Sequence, residues 1–393
     1  MITKVTRPIR KPTKIDKDVS KLRWNWRLFA AVATMTGTIV GAGFLGIPYV
    51  VAKSGLILGL AEIILIGFIL LLVELYLGEI LLRTETTHQL PGLAKIYLGK
   101  WGYRLMFFSM AFGIYAALIA YLIGQGESLS YVFFGNINYA LYFALGFWIL
   151  LSLFVYQGIR ALKKGESFGV IFMFFILFLI LIFFSGKIKT ENLLSYNFSY
   201  MFLPVGVIIF ALLGFSAVPE VLRELRRKED LMRKAITIGG IIPIIIYILF
   251  TFVVVGFAGM ATAEIATFSL GRFFIILGVF TMFTAFFALS MAMRDMFRFD
   301  LGFDKFKSWW LSCFVPLILF LIIYIFKLTS FTRILGIGGS VAGGLAGILI
   351  VLIALKAKKL GKRKPEYKIG LPFWLAILLI LFFIAAIIFE FAF

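Results

Sequence analysis

Apolar residues run through this chain in stretches long enough to cross a bilayer, and short basic or turn-rich segments separate them. Eleven such stretches lie near 28–52, 56–82, 105–126, 139–157, 167–186, 202–222, 235–259, 271–293, 309–327, 332–355 and 371–391. Each predicts a transmembrane helix. The hydrocarbon core offers no water to backbone N–H and C=O groups, and a helix satisfies them within itself. The connections are short. The pattern therefore predicts an all-α integral membrane protein with a basic tail over 1–27 and a single transmembrane domain over 28–391.

Two stretches are interrupted. Gly41-Ala42-Gly43-Phe44-Leu45-Gly46-Ile47-Pro48 lies inside the first. In a soluble βαβ unit, Gly41-x-Gly43-x-x-Gly46 would match a dinucleotide fingerprint. Here Leu28–Val40 and Ile47–Ala52 flank it, with no strand–turn–helix context. Irregular backbone at membrane depth is tolerated only where it is buried in protein or lines a cavity. A Gly/Pro-interrupted span is the sequence pointer to a transporter's binding site. The second interruption is in the sixth stretch, where Gly214, Ser216 and Pro219 break the run from Phe210 to Glu220. The two broken spans are five apart, an odd number, so corresponding helices run in opposite directions. This predicts a five-plus-five inverted repeat over 28–186 and 202–355, with 371–391 as an accessory helix.

Composition excludes a soluble domain: 62% of the residues are hydrophobic and 15% are charged. The formal charge of +20 would suit a nucleic-acid partner, but its distribution argues otherwise. With the N-terminus cytoplasmic, 33 of the 39 Lys and Arg residues fall in the tail and the inside loops. Only Lys53, Lys187, Lys189, Arg272, Lys327 and Arg333 fall outside. The positive charge is thus a topology signal, with the N-terminus inside and the C-terminus outside. The one cysteine, Cys313, makes neither an intrachain disulfide nor a metal site. The N-terminal segment lacks the apolar core of a cleaved signal peptide.

At the two breaks the chain resembles a known group of proteins. Gly37-Thr38-Ile39-Val40-Gly41-Ala42-Gly43-Phe44-Leu45-Gly46-Ile47-Pro48-Tyr49, with Lys53-Ser54-Gly55 after it, is similar to the first helix of the amino acid/auxin permease and aromatic amino acid permease families. These belong to the amino acid–polyamine–organocation superfamily. Gly214-Phe215-Ser216-Ala217-Val218-Pro219-Glu220 resembles their sixth helix, and Gln89–Gly102 the amphipathic loop after their second. The resemblance implies a LeuT-like fold with discontinuous helices 1 and 6. It also implies a secondary active transporter of neutral amino acids in the cell membrane, an ion-coupled symporter favouring hydrophobic or aromatic substrates.

An amino acid zwitterion needs both charges satisfied in a low-dielectric site. The break in the first span frees N–H groups at the start of a half-helix, where the dipole favours a carboxylate. Gly41, Ala42 and Gly43 allow close backbone approach. Carbonyls near Gly37–Ile39 and Phe210–Gly214 are available for the ammonium group. The candidate substrate-binding set is Gly37, Thr38, Gly41, Ala42, Gly43, Phe210, Gly214, Phe215 and Ser216, with Tyr115 and Tyr121 of the third span.

The coupling ion is sodium or a proton. Sodium needs oxygens, and Thr38 and Val40 could supply them with Thr281, Thr284 and Ser290 of the eighth span. Some proton-coupled members of the superfamily carry a lysine midway along span 5, and this chain has none there. Glu62, near the outer end of span 2, is an alternative proton site. Glu74 and Glu79 lie five apart, which is not a same-face spacing, and are expected to pair with different basic residues. Arg23 or Arg27 with Asp295 is the candidate inner gate. His88 is expected to be structural or solvated. Gly339-x-x-x-Gly343-x-x-x-Gly347 predicts a close-packing face on span 10.

Other function classes fit less well. A membrane-embedded enzyme needs convergent His, Cys or paired acids at depth, and none is present in the sequence pattern. A channel needs a repeated filter or polar ring. An amino acid sensor built on a transporter fold, or a transporter of another small amine or organic cation, remains compatible with the residues.

Overall fold

The computed structural model describes residues 14–86, 88–158 and 174–392, with side chains described from residue 26 onward. Every regular element among them is helical. In chain order they are α1 (Lys14–Ile39), α2 (Ile47–Ser54), α3 (Leu56–Arg83), α4 (Leu90–Phe134), α5 (Ala140–Gln157), α6 (Phe174–Ser185) and α7 (Thr190–Leu193). There follow α8 (Leu203–Ala211), α9 (Ala217–Glu224), α10 (Met232–Ala258), α11 (Arg272–Asp295), α12 (Lys305–Phe326), α13 (Phe331–Ile337), α14 (Gly344–Leu360) and α15 (Phe373–Ala392). Among the described residues, eight helical runs are long and apolar enough to cross a bilayer. The pair α1 and α2, bent by 46°, makes a ninth when taken as one span. The protein is therefore a multi-pass helical membrane protein. The fifth predicted stretch, 167–186, is described only from residue 174, where α6 begins. The sixth, 202–222, is α8 and α9 with residues 212–216 between them.

Both interruptions predicted from glycine and proline are breaks in the helix. α1 stops at Ile39, and a short 3-10 turn over Gly43–Gly46 leads into α2. Pro48 stands in the first turn of α2, where its missing N–H costs no intrahelical bond. α2 ends at Gly55, whose φ of 101° places it against the backbone of Ser195 and Tyr196, so only glycine fits. The segment 89–102 and the third span form one run, α4, bent at Gly99.

α10 carries Pro243 in its interior. Proline removes the N–H that would bond the carbonyl four residues back, that of Gly239. The Thr36 hydroxyl of α1 donates to that carbonyl instead, over 3.2 Å. One imperfection in α10 thereby becomes a tie between the first and seventh spans.

Lipid tails are as apolar as leucine, so these helices associate by close fit rather than by escape from water. The Gly339–Gly343–Gly347 face shows this. Gly339 lies against the backbone of Gly206 and Phe210 in α8, Gly343 against Ile209 and Leu213, and Gly347 against the Phe383 ring of α15. A π-turn over Gly338–Gly343 joins α13 to α14 at this contact. From α15, Glu390 accepts a hydrogen bond from Ser340 Oγ at 3.0 Å and stands 3.7 Å from Arg333. At the other end of the bundle, Glu79 pairs with Arg83 at 2.7 Å and with Lys358 at 3.7 Å, and accepts the Ile369 N–H at 2.9 Å. Tyr367 donates to the Leu75 carbonyl at 2.7 Å, so the α14–α15 connection is fastened to α3. Burial, with Glu79 beside it, pushes the Tyr367 phenol above its ordinary range.

Candidate functional site

A cavity of about 590 Å³ begins at the two breaks and reaches the end of the bundle that carries Gln89, Arg223 and Asp300. The first span lines it with Thr38, Ile39, Gly41 and Gly43, and the sixth with Phe210, Ala211, Leu213, Phe215 and Ser216. α4 contributes Ser109, Gly113 and Tyr121; α11 contributes Leu289, Ala292 and Asp295. A volume of this order holds a small organic solute. On the other side of the breaks the chain is packed shut. Phe44, Leu45 and Ile47 have no exposed surface. Phe44 stacks on Tyr247 at 5.6 Å and meets Phe250 edge-on at 5.0 Å. The cavity is thus open at one end and closed at the other.

At the first break, the Val40 and Gly41 amides are occupied by the Thr36 and Ile39 carbonyls, both at 2.8 Å. The Tyr121 hydroxyl hydrogen-bonds the Ala42 backbone and lies 3.9 Å from where a Gly41 Cβ would stand. A Cβ on Gly43 would stand 2.8 Å from Phe210 Cδ1 and 3.2 Å from Ala211 Cα. The absence of side chains here is what lets the two breaks meet. Tyr247 of α10 secures them from behind: its hydroxyl lies 3.0 Å from the Ile39 carbonyl and 3.1 Å from the Ala211 carbonyl, one from each broken helix.

The second break has a further partner. Glu74 of α3 is buried, and its Oε1 accepts the Gly214 N–H at 3.0 Å. It takes part in no ion pair among the described residues, whereas Glu79, five positions on, is paired twice. The expectation that both acids pair with basic residues thus holds for Glu79, while Glu74 reaches the backbone of a broken helix.

The predicted site residues divide by position. Thr38, Gly41, Gly43, Phe210, Phe215, Ser216 and Tyr121 line the cavity together. Ala42 and Gly214 lie behind the lining, Ala42 against Tyr121 and Gly214 against Glu74. Gly37, one turn before the break, is also outside the lining. Tyr115 points elsewhere and donates to the Leu311 carbonyl of α12 at 3.0 Å. Of the ion-site candidates, Thr38 Oγ1 donates to Thr34 O at 2.8 Å, and Val40 is buried. Thr281 and Thr284 donate to carbonyls of their own helix. The Ser290 hydroxyl is buried without a partner. The gate candidates stand apart: Arg27 donates to the Arg226 carbonyl at 2.9 Å, and Asp295 pairs with Arg294 at 3.1 Å. The Arg23 side chain lies outside the described residues. Arg294 turns away from the cavity to the carbonyl of Val155, at the C-terminal end of α5 where a cation is favourable. The cavity mouth instead carries Glu220, with Arg223 at 2.8 Å and Gln89 at 3.3 Å.

Sequence reasoning missed Tyr247 and the role of Glu74. Tyr247 follows Pro243 in an apolar helix, and a lone phenol there signals a buried carbonyl needing a donor. Nothing in the sequence shows which carbonyls it serves, because they come from helices far away in the chain.

The fold and cavity together define an integral membrane protein with a cavity of small-solute size at two helix breaks. The chain belongs to the tryptophan/tyrosine permease family, whose sequence model matches residues 25–268. It is 26% identical over 316 residues to a protein of Aliivibrio fischeri named glutamine transporter 2, covering 75% of this chain and 81% of that one. It is 30% identical over 236 residues to the tyrosine-specific transport system 2 of Haemophilus influenzae, covering 56% of each. A third similar protein is a putative sodium-coupled neutral amino acid transporter 11 of Danio rerio, 29% identical over 158 residues, or 37% of this chain and 34% of that one.

Proposed function

We propose that this protein is a secondary active transporter of neutral amino acids, favouring hydrophobic and aromatic ones, that works by ion-coupled symport and alternating access. The observation that carries this reading is the meeting of both helix breaks at the blind end of one cavity. Main-chain groups there suit the zwitterion shared by all amino acids, and Phe210, Phe215 and Tyr121 suit an apolar side chain. The substrate carboxylate is directed to the Gly41–Gly43 segment, and the ammonium group to the Thr38 side and to carbonyls of the sixth span. The transport of glutamine and tyrosine named for similar proteins supports the substrate class.

The eleven-span reading follows the same lines, with inverted repeats over 28–186 and 202–355 and α15 as accessory helix. It places the N-terminus in the cytoplasm and the C-terminus outside the cell membrane, from the distribution of Lys and Arg. The open end of the cavity then faces the cytoplasm, with Phe44, Tyr247 and Phe250 as the closed outer side. Arg23 or Arg27 and Asp295 close the inner end in the opposite state. Thr38, Val40, Thr281, Thr284 and Ser290 are the sodium candidates, and a proton is the other coupling ion.

The test is uptake of radiolabelled tyrosine, tryptophan, leucine and glutamine into proteoliposomes of the purified protein. Saturable uptake of at least one, with competition by the others, is expected. Absence of both net uptake and exchange for every amino acid contradicts the proposal and favours the sensor reading.

A further inference from the structure

We propose that Glu74 is the proton-binding group that couples transport to a pH gradient. This inference rests on the transporter reading above and adds the identity of the coupling ion and its site. It begins from the placement of one carboxyl. Glu74 is 1% exposed, in the second half of α3, and its Oε1 accepts the N–H of Gly214 at 3.0 Å. Gly214 is in the break of the sixth span, and a Cβ on it would stand 2.8 Å from Ile39, where the first span breaks. The same carboxyl lies beside Gly240 of α10, where a Cβ would stand 3.3 Å from Oε2. Glu74 therefore touches the sixth span and reaches the junction of both breaks, yet it does not line the cavity. A substrate on the cavity side and a proton on the Glu74 side bind opposite faces of one backbone segment.

Among the described residues, the surroundings leave the carboxyl without a cation. On its own helix, Glu79 is held by Arg83 and Lys358, and the Tyr76 hydroxyl donates to the Gly370 carbonyl at 2.8 Å. On α10, Arg233 and Lys234 stand at the helix start, and Tyr247 is bound to the Ile39 and Ala211 carbonyls. On α9, Glu220 and Arg223 pair with one another at the cavity mouth. On α1, Arg27 is bound to the Arg226 carbonyl. On α2, Lys53 sits over the Tyr49 ring. On α14, Lys358 belongs to Glu79, and Lys356 and Lys359 lie in its last turns. α8 carries no charged side chain. An ionised carboxylate in such a place has one amide to satisfy it, whereas a protonated one carries no net charge across the membrane.

The two protonation states act differently on the break. The carboxylate is an acceptor only and draws on the Gly214 N–H by a charge-assisted bond. The acid has a donor as well and binds that N–H more weakly. Proton uptake thus loosens the hold of α3 on the break of the sixth span, and proton release restores it. That is a differential interaction with two states of a moving element, which coupling requires. No bond other than O–H forms or breaks, and the proton is taken from one aqueous side and given to the other.

Glu74→Gln separates this role from a structural one, because the amide keeps a carbonyl acceptor for the Gly214 N–H and loses only the titration. In sodium-free proteoliposomes with the outside one pH unit more acidic, the wild type should concentrate a transported amino acid towards about tenfold, the limit that one pH unit sets for one proton per substrate (about 1.4 kcal/mol). Glu74→Gln should lose that accumulation while retaining exchange of external for internal substrate. Glu74→Asp should retain gradient-driven uptake at a reduced rate. Accumulation by Glu74→Gln equal to the wild type overturns the proposal. Should neither variant be recovered folded, the wild type decides: substrate addition must alkalinise the outer medium in step with uptake. Uptake driven by sodium with no proton movement overturns the proton assignment and leaves the transporter reading standing. Absence of uptake and of exchange in the wild type overturns both.

Discussion

The two helix breaks have one partner in common and are otherwise held by different chemistry. Tyr247 binds a carbonyl from each, at 3.0 and 3.1 Å. Beyond that, the first break rests on Tyr121, a neutral phenol that lines the cavity. The second rests on Glu74, a carboxyl outside the cavity lining. A neutral hydrogen bond contributes about 1 kcal/mol net, and one to a charged group about 1.5–3 kcal/mol. On the proposal above, the first break therefore has a fixed hold and the second has one that depends on protonation. The two breaks are thus assigned unlike work. On the proposals made above, both breaks bind substrate, and the second is also the hinge whose grip a proton adjusts.

The largest expected effect comes from filling the contact between the breaks. Gly43→Val places its Cβ 2.8 Å from Phe210 and 3.2 Å from the Ala211 backbone, so the breaks must separate. Uptake should fall to background in the proteoliposome assay while the protein still reaches the membrane. Normal uptake would mean that the breaks do not form one site. Tyr247→Phe comes next, because it removes a group that lies within hydrogen-bond distance of both. Its one O–H is shared between two buried carbonyls, and the Ile39 carbonyl keeps the Gly41 N–H, so the loss is about 1–3 kcal/mol, felt chiefly at the Ala211 carbonyl. An uptake rate about tenfold lower and a lower thermal midpoint should accompany it. If only stability falls, Tyr247 is a strut and not part of the moving junction.

Tyr121→Phe disturbs the first break alone. With one hydrogen bond of about 0.5–1.5 kcal/mol lost, the apparent KM should rise roughly two- to tenfold, with the dependence on the pH gradient unchanged. A changed gradient dependence would erase the division between the two breaks. The smallest effect belongs to Thr36→Val. It strips the Gly239 carbonyl of its 3.2 Å donor and should lower the thermal midpoint by a few degrees with little change in substrate selectivity.

Much of this architecture is legible in the sequence, because each legible feature has a local cause. Apolar runs mark helices since the backbone has no other partner in lipid. Gly41, Gly43 and Gly214 mark the breaks since helices pay for glycine there only when backbone must be free. The cavity residues Thr38, Phe210, Phe215, Ser216 and Tyr121 follow, because they sit beside those breaks. What was not legible depends on contacts between distant segments. Tyr115 and Tyr121 are six residues apart on one helix, and only the packing of α12 decides that the first serves the Leu311 carbonyl and the second the site. Glu74 and Glu79 look equivalent in the string. The fold gives Glu79 two basic partners and gives Glu74 the amide of Gly214, 140 residues away. The predicted gate is likewise a pairing across the chain. Arg27 and Asp295 have other partners here, the Arg226 carbonyl and Arg294.

The central claim is that both breaks form a single amino acid site, and equilibrium binding tests it most directly. Radiolabelled tyrosine, tryptophan and glutamine would be titrated against the purified wild type, Gly43→Val and Ser216→Phe, with a thermal scan to establish that each is folded. The predicted result is saturable binding of at least one amino acid to the wild type, weakened at least about tenfold (about 1.4 kcal/mol) by either substitution. Undiminished binding to a folded variant of either kind would contradict it.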